Sequence, residues 1–277
     1  MEIDHKKCVA CANCVPVCPM GAIYIDPAVN RATVNLDECV ECFTCHRGMS
    51  KEHMNPTLVR AVRRVAKWLR FRFDPEPDVC PTDALTPQEL TWPRVIRRAF
   101  SDPLVSHEST GISGRGTEEV KTNDVTGRVA VGEAGFTIEF GRPGVGVRFR
   151  DVQKMAMALA PLPVEFEEKN PVSSLMSDRA TGTLRADILE EKVLSAILEL
   201  KTRLEHVPTV LEKVEAIAQE LDTIVSIGVS TRCDGNGDDL LAPVLRNEGY
   251  AFFRGKTNLG LGRRPAPSPD DSRRIRE

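Results

Sequence analysis

The chain has little of what many binding surfaces are made from. Aromatic residues make up 5% of its 277 residues, too few for the stacked platforms that hold single-stranded bases. Its formal net charge is −3, too slight a field to gather nucleic acid or an anionic membrane surface. No apolar run approaches the roughly 18 residues that a membrane span needs. The first nine residues are charged and hold no apolar core. No secretory leader is therefore expected, nor the oxidising setting in which disulfide frameworks form. Histidine is sparse, five in all, and scattered. A hydrophobic content of 41% and a charged content of 28% belong to an ordinary soluble protein. The length suggests about two domains, and the expected location is the cytoplasm.

What the chain does have is cysteine in a pattern. Cys8, Cys11 and Cys14 stand three apart, and Cys18 follows with Pro19 behind it. Cys39, Cys42 and Cys45 repeat the spacing, and Cys80 arrives later with Pro81 behind it. A four-iron cubane takes one thiolate per corner, and three from one tight loop come at small entropic cost. The fourth must come from elsewhere, and in runs of this kind the Cys-Pro cysteine serves the other cluster. The pattern thus assigns Cys8, Cys11, Cys14 and Cys80 to one 4Fe-4S cluster. Cys39, Cys42, Cys45 and Cys18 go to a second. Structural zinc prefers cysteine pairs two apart, commonly with histidine, rather than triplets completed by Cys-Pro.

Residues 1–92 resemble the bacterial-type ferredoxins that carry two 4Fe-4S clusters. One departure stands out: residues 46–79 intervene between the second triplet and its Cys-Pro, and Pro81 is what supports Cys80 as a ligand. Around the cysteine loops, residues 22–26 and 32–36 alternate as short strands. Within the insertion, Asn55-Pro56 opens a helix expected to reach Arg70. Its apolar positions Leu58, Val62, Val65 and Leu69 recur at helical spacing, and arginines crowd the other face. The expected packing buries the apolar face and leaves the charges solvated, or offers them to an acidic redox partner. His46 reads as a surface histidine, and Cys233 as a buried or half-buried inert thiol.

Residues 93–134 read as a connector and a Gly-rich loop, with a short helix from Pro93 through Phe100. The loop mixes glycines with Arg115, Lys121 and Arg128, which suit phosphate or carboxylate. Beyond it, residues 135–262 give strand, helix and strand twice: strand 136–140, helix 151–160, strand 164–166, an apolar stretch at 193–204, helix 208–221 and strand 223–230. The fold class is therefore α+β: a dicluster ferredoxin domain with a helical insertion, then a ferredoxin-like βαββαβ plait. Residues 193–204 also fit a helical period, which would replace the third strand by a helical hairpin. The turn Arg142-Pro143-Gly144-Val145-Gly146 is a further anion candidate if its glycines open a helix N-terminus. Asp234, Asn236 and Asp238 imitate a calcium loop, but Asp239 and Leu245 stand where that loop needs glycine and glutamate. Residues 263–277 are expected to be a disordered tail.

Two clusters in one small domain accept and pass single electrons, so an electron-transfer protein or subunit feeding a reductase partner is the first expectation. A reductase with its own site at the Gly/Arg-rich loops is the alternative, and a redox or ligand sensor is another. The run STGISGRGTEEVKTNDVTGR, followed by GFTIEFGRPGVGVRFRDV, resembles the ferredoxin-containing part of reductases of the 6-hydroxynicotinate type. That resemblance implies reduction of an electron-poor ring, with a flavin on a partner, since no flavin motif is recognisable here. It also makes Arg115, Lys121 and Arg128 anion contacts.

Overall fold

The computed structural model describes residues 1–71, 76–107, 111, 123 and 126–252. The described part of the chain mixes helices and short strands around two buried clusters of side chains. No helix among the described residues is long and apolar enough to cross a membrane.

The N-terminal unit is built from strands β1 (Glu2–Ile3), β2 (Ile23–Asp26), β3 (Arg31–Val34), β4 (Ser50–Lys51), β5 (Val79–Cys80) and β6 (Leu85–Thr86). Helices α1 (Cys14–Val17) and α2 (Thr44–Arg47) are single turns, α3 (Pro56–Trp68) lies in the insertion, and α4 (Val95–Ser101) leads onward. β2 and β3 form the expected hairpin, with Ile23 opposite Val34, and β1 pairs antiparallel with β6. Each pair sits beside one cysteine triplet, so the unit is two copies of one plan. The backbone repeats it. Ala10 and Ala12, two and four residues after Cys8, have φ of 56° and 69°. Glu41 and Phe43, two and four after Cys39, have 54° and 60°. Left-handed backbone is costly for a residue with a β-carbon and persists where the surroundings impose it. Both loops are bent to the same shape.

Helix α3 begins as its sequence predicts. Asn55 Oδ1 accepts from the Thr57 and Leu58 amides at 2.9 and 3.3 Å, and Pro56 fills a first-turn position where no N–H is missed. Its orientation reverses the expectation. Arg60 and Arg63 turn inward, while Leu58, Val62, Val65 and Leu69 are exposed and Val59 alone is buried. The cysteine loop beneath offers bare carbonyl oxygens, which need donors more than they need hydrocarbon.

The second unit holds β7 (Glu133–Phe140), β8 (Val147–Arg148), α5 (Phe149–Leu159), β9 (Glu165–Phe166), α6 (Pro171–Ser174), β10 (Met176–Asp178) and β11 (Thr183–Leu184). After these come β12 (Lys192–Val193), β13 (Ala196–Arg203), α7 (Val207–Ala218), β14 (Val225–Thr231) and α8 (Leu241–Asn247). Four strands form an antiparallel sheet in the order β14-β7-β13-β9. Ala134, Phe136, Ile138 and Phe140 alternate along β7 into one core with Val152, Met155 and Leu159 of α5 and Val210 and Val214 of α7. The 193–204 stretch resolves as a strand. β13 lies between β7 and β9 with most of its residues buried, polar Glu199 and Thr202 included, and its Ile197 and Leu200 with the following Leu204 also fit a helical spacing. The connection over residues 169–187 contains α6 and the β10–β11 hairpin.

Candidate iron-sulfur centres

The eight patterned thiols surround two separate voids. Cys8, Cys11, Cys14 and Cys80 line one, with Val9, Ala12 and Thr82. Cys18, Cys39, Cys42 and Cys45 line another, with Pro19, Met20 and Phe43. Each set combines one triplet with a Cys-Pro cysteine from elsewhere in the chain. All nine cysteines are free of disulfides. Among the described residues no three His, Cys, Asp or Glu side chains are placed to hold a single metal ion. The thiols frame a volume rather than a point, which suits a cubane with one thiolate per iron corner.

Electrostatics fit the same group. Cys14 and Cys45, the third members of their triplets, are each pushed up to about 12 by burial and then by the other thiols of their own quartet. Burial also raises Cys11 and Cys39. Four thiolates so crowded in an apolar void repel one another, and a cationic centre reverses that balance by drawing off the protons. Donors meet the sulfurs in matched places. The amides of Ala22 and Ala84, each four residues past its Cys-Pro cysteine, donate to Cys18 Sγ and Cys80 Sγ at 3.3 Å. Ala32 N donates to Cys8 Sγ at 3.4 Å, and Thr44 Oγ1 donates to Cys42 Sγ at 3.3 Å.

Arginines that the sequence pattern did not single out hold the loops. Arg60 Nη2 donates to the Cys8 carbonyl at 3.0 Å and also bonds Lys6 O, and Arg63 Nη2 reaches Ala10 O at 3.3 Å. On the second loop, Arg97 Nη1 donates to the carbonyls of Leu36, Asp37 and Cys39 at 3.1, 2.9 and 3.0 Å. Its Nε pairs with Glu191 of the second unit. Arg47 bridges Cys42 O at 2.8 Å and Asp102 at 2.7 Å. The only signal for these was an excess of arginine near the cysteines, which a solvated surface also produces. His46 is half-buried against the Phe43 ring, with Lys51 Nζ 2.9 Å from Nε2. Burial first, and Lys51 next, lower its pKa and favour the neutral ring.

The second quartet packs against the second unit. Arg148 pairs with Asp37 at 2.7 Å and Lys192 with Glu38. The 142–146 turn also lies here, close to Pro19 and Met20, with Arg142 exposed. β8 separates its glycines from α5, so they open no helix N-terminus. Gly146 has φ 73°, and a β-carbon there would stand 2.7 Å from Met20 Cε and 2.9 Å from Val193 O. The glycine serves close packing.

Arg128 also departs from its expected role. It pairs with Glu167 in a cleft that Glu165, Glu168, Glu199 and Lys201 also line. Carboxylates outnumber cations there, and an anion would meet the wrong sign. Arg115 and Lys121 lie outside the described residues, as does the 263–277 tail. Cys233 is exposed rather than buried, two residues past the end of β14.

Residues 1–47 match the family described as "4Fe-4S dicluster domain". The chain is 43% identical over 42 residues to Ferredoxin-1 of Rhodobacter capsulatus, covering 15% of this chain and 62% of that protein. The chain opens with a bacterial-type ferredoxin domain. Its cofactors are 4Fe-4S clusters. A ferredoxin-like protein of the vnf region of Azotobacter chroococcum is 38% identical over 42 residues, 15% of this chain and 62% of its own length. Pyruvate synthase subunit PorD of Methanocaldococcus jannaschii is 36% identical over 63 residues, 23% of this chain and 63% of its own length. The chain thus spans a little over three-fifths of each of these relatives. No solved structure matches. These likenesses are all to ferredoxin-type proteins and lend the 6-hydroxynicotinate reductase resemblance no support.

Proposed function

We propose that this chain is an electron-transfer protein, or the electron-transfer subunit of a larger oxidoreductase, passing single low-potential electrons to a reductase partner. In this reading Cys8, Cys11, Cys14 and Cys80 hold one 4Fe-4S cluster, and Cys39, Cys42, Cys45 and Cys18 hold the other. The observation that carries it is the sorting of eight thiols into two quartets around separate voids of similar size. When bound, the clusters supply one-electron chemistry at potentials set by hydrogen bonds to sulfur, burial and local charge. The chain's own part is to exclude water from the voids and to aim amides and the Thr44 hydroxyl at sulfur. The likeness to PorD, named as a subunit of pyruvate synthase, supports a role as one component of an assembly.

The sheet order β14-β7-β13-β9, with the first long strand between the last and the third, supports reading residues 135–262 as a ferredoxin-like plait. On this division, residues 1–92 are the cluster domain and 93–134 the connector. The plait serves as a docking and positioning unit for the second quartet.

Iron and zinc analysis of anaerobically prepared protein tests the core of this reading, with about eight irons per chain expected. Cys18→Ala and Cys80→Ala should each abolish the spectroscopic signal of a different cluster, with thermal unfolding followed in parallel. Zinc in place of iron, or loss of both signals from either variant at unchanged stability, sinks the assignment.

A further inference from the structure

The electron-transfer reading leaves one large surface without a role. Leu58, Val62, Val65, Trp68 and Leu69 recur at helical spacing and form one apolar stripe along the outer side of α3. Trp68 is 81% exposed and Leu58 62%. Contiguous exposed apolar stripes of this kind are uncommon on proteins that act alone and mark interaction sites. The stripe is not a by-product of poor packing. The helix is anchored on its other side by Arg60 and Arg63, whose guanidinium groups bond the carbonyls of Lys6, Cys8 and Ala10.

We propose that this outer face of α3 is the docking surface for an acidic redox partner protein. The inference rests on the electron-transfer function proposed above and names the surface and the partner's charge. The sign comes from the rim. Arg64, next to Trp68 on the helix, is exposed, as are Lys67 and Arg70 at the helix end, and none of the three has a carboxylate partner among the described residues. No acidic residue occurs between His53 and Phe73. Paired hydrocarbon in the centre and free cations at the edge call for an apolar patch rimmed by Asp and Glu. A second copy of this chain would bring the same cations face to face, which disfavours self-association through the stripe. The 253–277 segment carries seven Lys or Arg against three acids and has the wrong sign as well. The position suits the function. A partner on the stripe is separated from the Cys8–Cys14 loop by one helix, about 10 Å across.

The test uses the full-length iron-loaded protein and, as probe, an acidic flavodoxin, with a basic cytochrome c as the opposite-charge control. Flavodoxin should bind, and more weakly as salt rises from about 50 to 300 mM, because rim charges are screened over that range. Trp68→Ala should weaken binding about tenfold or more, the effect of removing an aromatic anchor. Arg64→Glu should weaken it and flatten its salt dependence. Both variants should keep wild-type iron content and thermal midpoint, since neither side chain is buried. Flavodoxin binding that is absent, or unchanged in both variants, overturns the proposal, and so does equal binding of cytochrome c. A solution dimer that Trp68→Ala dissociates assigns the stripe to a second copy and also overturns it. Protection of Trp68 from covalent labelling in the free protein means that the chain itself covers the stripe, which likewise overturns the proposal. A protein without iron that still binds flavodoxin through Trp68 would refute the electron-transfer reading and leave the docking surface standing.

Discussion

The two halves of the ferredoxin domain share one loop shape and differ in what leans on it. Left-handed residues fall at the same two offsets in both, and an amide four residues past each Cys-Pro donates to sulfur in both. Around the first loop stands the insertion, whose α3 supplies Arg60 and Arg63 and then faces outward with apolar side chains. Around the second loop stand α4 and the second unit, which close over it through Arg97, Arg148 and Lys192. The same need, donors for the exposed carbonyls of a tight cysteine loop, is met by a local helix in one half and by another unit in the other. One quartet therefore lies beside a free surface and its twin beside the rest of the chain. A carrier with distinct inward and outward sides requires that asymmetry.

The widest separation of the two halves should come from their arginines. Arg97 is 4% exposed and joins three carbonyls of the second loop to Glu191. Arg97→Met leaves that carboxylate and those oxygens without their donor, a loss on the order of 3–5 kcal/mol for a buried pair. The partly exposed Arg60 can be replaced from solvent by water, so Arg60→Met should cost only about 1 kcal/mol. Urea unfolding of the two variants checks the ranking. Arg97→Met should also release iron from the second quartet before the first, and equal losses in the two variants would erase the proposed distinction.

Acid should attack the second half through Asp102, whose carboxylate is fully buried between Arg47 and Arg98. Burial pushes its pKa up. The Arg47 guanidinium, the Leu104 amide and Arg98 outweigh that and hold it below the ordinary carboxylate range. A carboxyl depressed in the folded state adds stability that is complete above its unfolded pKa of about 3.9. That stability drains away as pH falls through the lower folded value. Asp102→Asn should cost about 2 kcal/mol at neutral pH, less than for Arg97 because the Arg47 side chain is 35% exposed. Between pH 5 and 3 the variant should lose stability less steeply than the wild type. Parallel curves through that range would show that the pair contributes nothing pH-dependent.

How far these features can be read from residues alone follows from what each pattern constrains. The ferredoxin character is legible because two cysteine triplets and two Cys-Pro cysteines are a specific pattern, and the insertion before Cys80 lengthens the chain without removing any member of it. The hairpin at β2–β3 and the long strands β7 and β14 are legible from alternation. β13 is ambiguous because two periods fit one run: Val193, Ile197, Leu200 and Leu204 recur at helical spacing while Leu198 and Leu200 alternate with Glu199 and Lys201. The orientation of α3 escapes the pattern because periodicity says which side chains share a face and is silent on which face is buried. There the carbonyls of the cysteine loop decide. Arg128 misleads because an arginine beside glycine fits an anion site and a carboxylate partner equally well until Glu167 is seen.

The smallest difference between the halves lies two residues past the middle cysteine of each triplet. In the second loop that position is Thr44, whose hydroxyl donates to Cys42 Sγ at 3.3 Å. In the first it is Asn13, whose amide turns away to the carbonyls of Glu76 and Val79 at 2.7 and 3.1 Å. A donor to sulfur stabilises the more electron-rich state, so Thr44→Val should lower the potential of the second cluster. A neutral hydrogen bond is worth about 0.5–1.5 kcal/mol, which for one electron is at most about 20–60 mV. Asn13→Ala should leave both potentials in place and instead loosen the return of the insertion, seen as faster amide exchange around β5. Redox titration of both variants decides between a bond that acts on sulfur and one that only braces the backbone. A shift of both clusters by Thr44→Val would mean that the hydroxyl acts through the fold rather than through Cys42.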